Sequence, residues 1–162
     1  SVALDLPQMM KRKDEVVKTL TGGIAGLFKK YKVTPVYGAA KLTSPTTVEV
    51  TQDDGSKVTL EAGHILLATG SDPVELPFLK FDGQVVGGST EALAYDKVPE
   101  HLIIVGAGYI GLELGSVWKR LGAKVSVVEF LPRILPFADG EVAKKVQEML
   151  TKQGLEFYLN TK

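Results

Sequence analysis

Two kinds of hydrophobic pattern lie on either side of a proline-punctuated connector. Met10, Val17, Leu20, Ile24, Leu27 and Phe28 recur at helical spacing and predict one long helix running to about Tyr31. Pro7 suits the first turn of such a helix, and Asp5 just before it can serve as N-cap. Gly22-Gly23 interrupts the helix at about 1 kcal/mol per glycine relative to alanine. Close packing against another element is the expected reason, and backbone approaching a cofactor is the alternative. Val33–Tyr37 then reads as a short strand ended by Gly38, and Lys41-Leu42 begins another. Thr47–Thr51 and Lys57–Glu61 alternate apolar and polar residues, so each should bury one face. Asp53-Asp54-Gly55 between them supplies hairpin turn residues. His64–Ala68 is continuously apolar after its histidine, the pattern of a strand buried on both faces.

Asp72 to Pro99 reads as the connector, with Pro73, Pro77 and Pro99 along it and a short capped helix expected over Ser89–Ala94. It suggests a division into residues 1–72 and 73–162. Beyond it, Leu102–Val105 and Lys124–Val128 read as buried strands with a helix, Tyr109–Leu121, between them. Asp139–Gln153 predicts an amphipathic helix with Asp139 at its start and Gly154 past its end. Leu155–Leu159 opens one more strand. Strands alternating with helices in this way indicate an α/β fold with a parallel sheet.

Composition narrows the chemistry. Hydrophobic content of 44% and charged content of 23% are those of a globular protein, and the formal net charge of zero gives no reason to expect nucleic acid or an acidic membrane surface. No apolar run approaches the roughly 18 residues that span a bilayer. Ser1–Asp5 lacks the basic and apolar regions of a signal peptide, and the missing initiator Met suits a chain cut from something longer. There is no cysteine, which removes disulfides, thiolate metal sites and thiol nucleophiles from these residues. His64 and His101 are too few and too far apart to suggest a metal site, and each reads as a partly exposed residue at a strand start.

Gly106-Ala107-Gly108-Tyr109-Ile110-Gly111 is a G-x-G-x-x-G. Alone the pattern is weak, but it follows a buried strand, opens a helix, and precedes a second strand ending in an acid, Glu129, about 20 residues on. Gly106 permits the tight turn, Gly108 lets backbone approach a pyrophosphate, and Gly111 lets the helix lie close on the sheet. The helix start offers free N–H groups and a positive dipole end. Glu129 can accept hydrogen bonds from ribose hydroxyls and would repel a 2′-phosphate, so NAD is favoured over NADP; Arg133 is the one nearby basic residue on the other side of that balance. A structural glycine turn in an unrelated α/β fold, methyltransferases included, is the bland alternative.

Gly106-Ala-Gly-Tyr-Ile-Gly-Leu-Glu-Leu-Gly-Ser-Val-Trp118 and Val127-Val-Glu-Phe130 resemble the dihydrolipoamide dehydrogenase family of flavoprotein disulfide reductases. The likeness runs almost end to end. Leu6-Pro-Gln-Met-Met10 and Leu20–Phe28 resemble the family's long FAD-domain helix, and Ala68-Thr-Gly-Ser71 resembles its second FAD motif at the crossing between domains. Residues 1–72 are then the C-terminal part of an FAD-binding domain (helix and β-meander), and residues 73–162 a truncated Rossmann-type NAD-binding domain.

The resemblance also implies roles. Gly38, Thr69, Gly70 and Ser71 match positions lining the FAD site; Gly106 to Glu113 and Glu129 match the NAD site. Tyr109 falls where some relatives place an aromatic lid over the flavin, or is simply an exposed helix residue. Glu113 matches a glutamate near the nicotinamide, or is a helix-dipole partner in the first turn. The family's first glycine fingerprint and redox cysteine pair should precede Ser1, and its His-Glu pair should follow Lys162, so no catalytic residue is assigned here. The implied reaction is NAD-dependent oxidation of protein-bound dihydrolipoyl groups through FAD, in a homodimer serving a lipoyl-bearing protein of a 2-oxo acid dehydrogenase or glycine cleavage complex. Bacterial cytoplasm or mitochondrial matrix is the implied location, and these residues alone should be inactive. Another NAD(P)-linked flavin disulfide reductase, or a non-catalytic nucleotide-binding module, are the rival readings.

Overall fold

The computed structural model describes residues 3–162, so Ser1 and Val2, part of the segment read as no signal peptide, lie outside it. Two compact units result: Arg12–Asp72, and Pro73–Lys162 together with the start of the chain up to Lys11.

Helix α1 (Leu6–Lys30) begins in the second unit and ends in the first. Asp5 caps it as expected, Oδ1 accepting from the Gln8 N–H at 3.0 Å. The helix runs unbroken through Gly22-Gly23, but a Cβ on Gly22, Gly23 or Gly26 would meet nothing within 4 Å, so the close packing expected there is absent among the described residues. Its end explains why Val33–Tyr37 is irregular chain and not the expected strand. Lys32 adopts φ 56°, and the Val33 N–H turns back to the Phe28 carbonyl at 2.9 Å. This is a Schellman ending, which spends the Val33 donor on the helix.

A meander follows: β1 (Ala39–Ser44), β2 (Thr47–Thr51) and β3 (Lys57–Glu61) pair antiparallel in sequence order. The turn between β2 and β3 forms where Asp53-Asp54-Gly55 predicted, with Gly55 at φ 82° and Asp54 Oδ1 accepting from the Ser56 N–H. Burial is thinner than the alternation implied: Val50 is buried, Val48 and Val58 are half-buried, and Leu60 is exposed. The expected doubly buried strand at His64–Ala68 does not form. No strand among the described residues pairs with it, and Leu66 is 90% exposed. An apolar run without a ladder partner remains irregular chain, and His64 begins no strand.

In the second unit, the connector holds α2 (Ser89–Ala92), which stops short of Ala94 and starts with Glu91 Oε2 accepting from the Gly88 N–H at 2.7 Å. Then β4 (His101–Val105), α3 (Tyr109–Arg120), β5 (Lys124–Val128), α4 (Gly140–Lys152) and β6 (Glu156–Tyr158) build a parallel sheet of order β4-β5-β6. Successive crossovers of the same hand put α3 and α4 on one face. Leu112, Trp118, Ala143 and Leu150 pack there with Val125, Val127 and Leu155, and Leu6 at the start of α1 joins the same core. The opposite face is only partly covered among the described residues, which corrects the expectation for Leu102–Val105: Ile103 and Val105 point outward and are exposed, leaving Leu102 and Ile104 half-buried. His101, at the start of β4, hydrogen-bonds Ser126 at 2.9 Å.

Candidate functional site

Parallel register brings the two halves of the sequence pattern together. Val105 is level with Val128, so the residues just after them, Gly106 and Glu129, leave the same edge of the sheet side by side. The Gly106 N–H reaches the Val128 carbonyl at 2.8 Å, and the chain turns away at Gly106 with φ 99°, a conformation that L side chains rarely adopt. Ala107 is fully buried under the turn, and Gly108 is the N-cap of α3.

The two helices of this unit begin differently. At α4 the Asp139 carboxylate accepts from the Glu141 and Val142 N–H groups, closing the helix start to other anions. At α3 the cap is a glycine with no side chain to offer, and a Cβ on Gly108 would meet open space. The first donors of α3 thus point, with the positive end of the helix dipole, at whatever lies outside. A groove of about 260 Å³ lies there, lined by Ile104, Val105, Gly106 and Gly108–Gly111. Gly111 has a different reason to be glycine, since a Cβ would sit 2.8 Å from Ile104 Cγ2. Gly115, one turn later, is tighter at 2.5 Å from Ile104 Cδ1, and its four-residue spacing from Gly111 was the available signal for that role.

Glu129 is 8% exposed and its carboxylate is already engaged. Oε2 accepts from the Ala107 N–H at 2.7 Å and Oε1 from the Leu131 N–H at 2.8 Å. An ionised carboxylate offers about four acceptor positions, so capacity remains for hydroxyl groups. Tyr109 opens α3 and is 67% exposed, while Ile110 beside it is also exposed. Glu113 is exposed too, but no acidic residue lies in the first turn of α3, which removes the reading of Glu113 as a first-turn dipole partner. Arg133 is turned back on its own loop, its guanidinium donating to the Pro136 carbonyl.

The positions matched to a flavin are less organised. Gly38 has φ 144°, and a Cβ there would lie 2.3 Å from the Thr51 carbonyl oxygen, so the packing of β1 on β2 alone requires glycine. Thr69, Gly70 and Ser71 lie in exposed, irregular chain, with Gly70 at φ 76° and open space around it. Neither place forms a cradle comparable to the turn at Gly106.

The chain is 54% identical to a mitochondrial dihydrolipoyl dehydrogenase of Dictyostelium discoideum over 99% of its length, covering 33% of that relative. It is 51% identical to dihydrolipoyl dehydrogenase 3 of Pseudomonas aeruginosa, over the whole chain and 35% of the relative. The chain therefore spans about a third of the length of these curated relatives. Among solved structures, LpdA from Mycobacterium tuberculosis superposes with a TM-score of 0.86 at 27% identity, over 98% of this chain and 36% of that one. The family described as pyridine nucleotide-disulphide oxidoreductase matches residues 2–162, and the chain belongs to that family.

Proposed function

We propose that this chain is the dinucleotide-holding part of an NAD-dependent dihydrolipoyl dehydrogenase. The observation that carries the reading is the meeting of an uncapped, glycine-led helix start with the buried carboxylate of Glu129 at one sheet edge. The first donors of α3 would hold the pyrophosphate over the groove at Gly106–Gly111, with no Cβ at Gly108 to keep it away. The free acceptor positions of Glu129 would take the adenosine ribose hydroxyls, and its charge would disfavour a 2′-phosphate. Tyr109, Ile110 and Glu113 would flank the nicotinamide end. Supplied with its cofactors, the enzyme passes two electrons from a dithiol to NAD, the nicotinamide and flavin providing the redox chemistry. FAD enters the proposal through the relatives. Gly38 and Thr69-Gly70-Ser71 are its assigned contacts, but local packing already accounts for Gly38, and no step is routed through them.

With relatives of about 50% identity named dihydrolipoyl dehydrogenase, the substrate proposed is a lipoyl group carried on a protein of a 2-oxo acid dehydrogenase or glycine cleavage complex, and the acting form a homodimer. Bacterial cytoplasm or mitochondrial matrix is the matching location. Among the described residues no helix is long and apolar enough to cross a membrane.

Titration with NAD and NADP tests the reading. Gly108→Val should abolish tight NAD binding in a folded protein, and Glu129→Ala should lower the NAD-to-NADP affinity ratio. Unchanged NAD affinity in Gly108→Val would remove the assignment of this turn.

A further inference from the structure

We infer that the loop between β5 and α4 sets the glycine turn for its ligand, and that Leu135 is a positioning residue for nucleotide binding. The inference rests on the proposed NAD reading of the turn. Ala107, the residue between the two glycines, has both of its backbone groups taken by this one loop. Its N–H donates to Glu129 Oε2 at 2.7 Å, and its carbonyl accepts from the Leu135 N–H at 3.0 Å. The loop is itself tied down: Leu131 donates to Glu129 Oε1, Asn160 donates to the Leu131 carbonyl, and the Ile134 side chain is fully buried.

Leu135 holds its end of the brace at an unusual backbone angle, φ 46°. For a leucine the left-handed region is unfavourable, and such residues persist only where their surroundings enforce them. Here the reward is the bond to Ala107. With that residue held on both sides, the peptide planes flanking Gly106 and Gly108 are fixed before any anion arrives, and little ordering remains to be done on binding. Glu129 then has two duties, organising the turn through one set of acceptor positions and meeting the ribose with the other.

The test separates backbone conformation from side-chain packing, because the two rank the same substitutions in opposite order. Leu135→Val keeps an apolar side chain, but β-branching resists positive φ and should pull the N–H away from Ala107. Leu135→Asn and Leu135→Gly lose the apolar side chain yet accept positive φ readily. NAD affinity of the full chain, followed by titration against Trp118 fluorescence, should fall about tenfold in Leu135→Val and stay within about twofold in the other two. Equal losses in all three, or a loss only in Leu135→Asn and Leu135→Gly, would overturn the inference. If the unsubstituted protein fails to bind NAD at all, the functional proposal falls and this inference with it. Should Leu135→Val not fold, amide exchange in the unsubstituted, ligand-free protein decides: Ala107, Leu131 and Leu135 should be protected together, and exchange of Leu135 at the rate of free chain would refute the brace.

Discussion

In the unit with the parallel sheet a Cβ on Gly115 would press 2.5 Å from Ile104 Cδ1, whereas along α1 a Cβ on Gly22, Gly23 or Gly26 would meet nothing within 4 Å. The same residue type, in helices of similar apolar periodicity, is under opposite constraints. In the first case helix and sheet have closed on each other and share a dry core that includes Trp118, Val125 and Val127. In the other, Leu20, Ile24 and Leu27 are exposed, and among the described residues Val50 is the buried hydrophobic residue of the Arg12–Asp72 unit. Periodicity predicts that a helix forms. What its glycines are for depends on what lies against them, which is a tertiary fact.

The largest effect expected from this contrast is at Trp118, 2% exposed, stacked at a tilt on Tyr95 with ring centroids 5.3 Å apart, and donating from Nε1 to the Ala92 carbonyl. Trp118→Ala should cost about 3–5 kcal/mol, the range for large-to-small aromatic changes in a core. Urea denaturation followed by far-ultraviolet circular dichroism would measure it. Loss of amide protection at Val125 and Val127, with α1 unaffected beyond Lys11, would locate the damage in the unit with the parallel sheet. A cost below about 1 kcal/mol would mean that the core is not the cooperative body described here.

Two alanine substitutions sharpen the contrast because their signs should differ. Gly115→Ala forces a methyl group into the Ile104 contact and should destabilise by about 1–3 kcal/mol. Gly22→Ala adds its methyl to open space in a helix interior and should stabilise α1 by about 0.5–1 kcal/mol. Thermal melts of the two variants against the parent would check both. If Gly22→Ala destabilised instead, a partner would lie against α1 that the described residues do not include.

What was legible in the residues follows the same line between local and tertiary causes. The α4 boundaries were readable because Asp139 and Gly154 act on the helix ends they adjoin. The glycine turn was readable because strand, turn and helix are contiguous in sequence, and the register of two parallel strands brings Glu129 to them. The strand at His64–Ala68 was misread because burial on both faces depends on neighbours that no window of sequence contains. Val33–Tyr37 was misread for a subtler reason: a helix can end on a lysine in the left-handed region, and the usual glycine signal was absent. Leu135 carried no signal at all. Its conformation is imposed by the bond to Ala107, and nothing in a leucine announces a positive φ.

Each unit also holds an exposed carboxylate with a depressed pKa, and acid should distinguish them by how far each one's partners reach. Asp54 is lowered by the Ser56 hydroxyl and then its N–H, partners within one hairpin turn. Glu156 is lowered first by the Ser126 hydroxyl, which donates to Oε2 at 3.1 Å, with Lys124 and Tyr158 adding to it. Ser126 in turn meets His101 at 2.9 Å, so the cluster at Glu156 joins three strands across one face of the sheet. A carboxyl whose folded pKa lies below its unfolded value stabilises the fold above the ordinary value of 4.5, and that contribution disappears as pH falls through the folded pKa. Glu156→Gln should therefore lower the melting temperature slightly above the ordinary value of 4.5, and the gap to the parent should close as pH falls through the folded pKa. Asp54→Asn should follow the same trend in amide exchange at the β2–β3 turn while leaving protection of β5 unchanged. A Glu156→Gln gap that stays constant across this range would show that the cluster contributes packing and no linked charge.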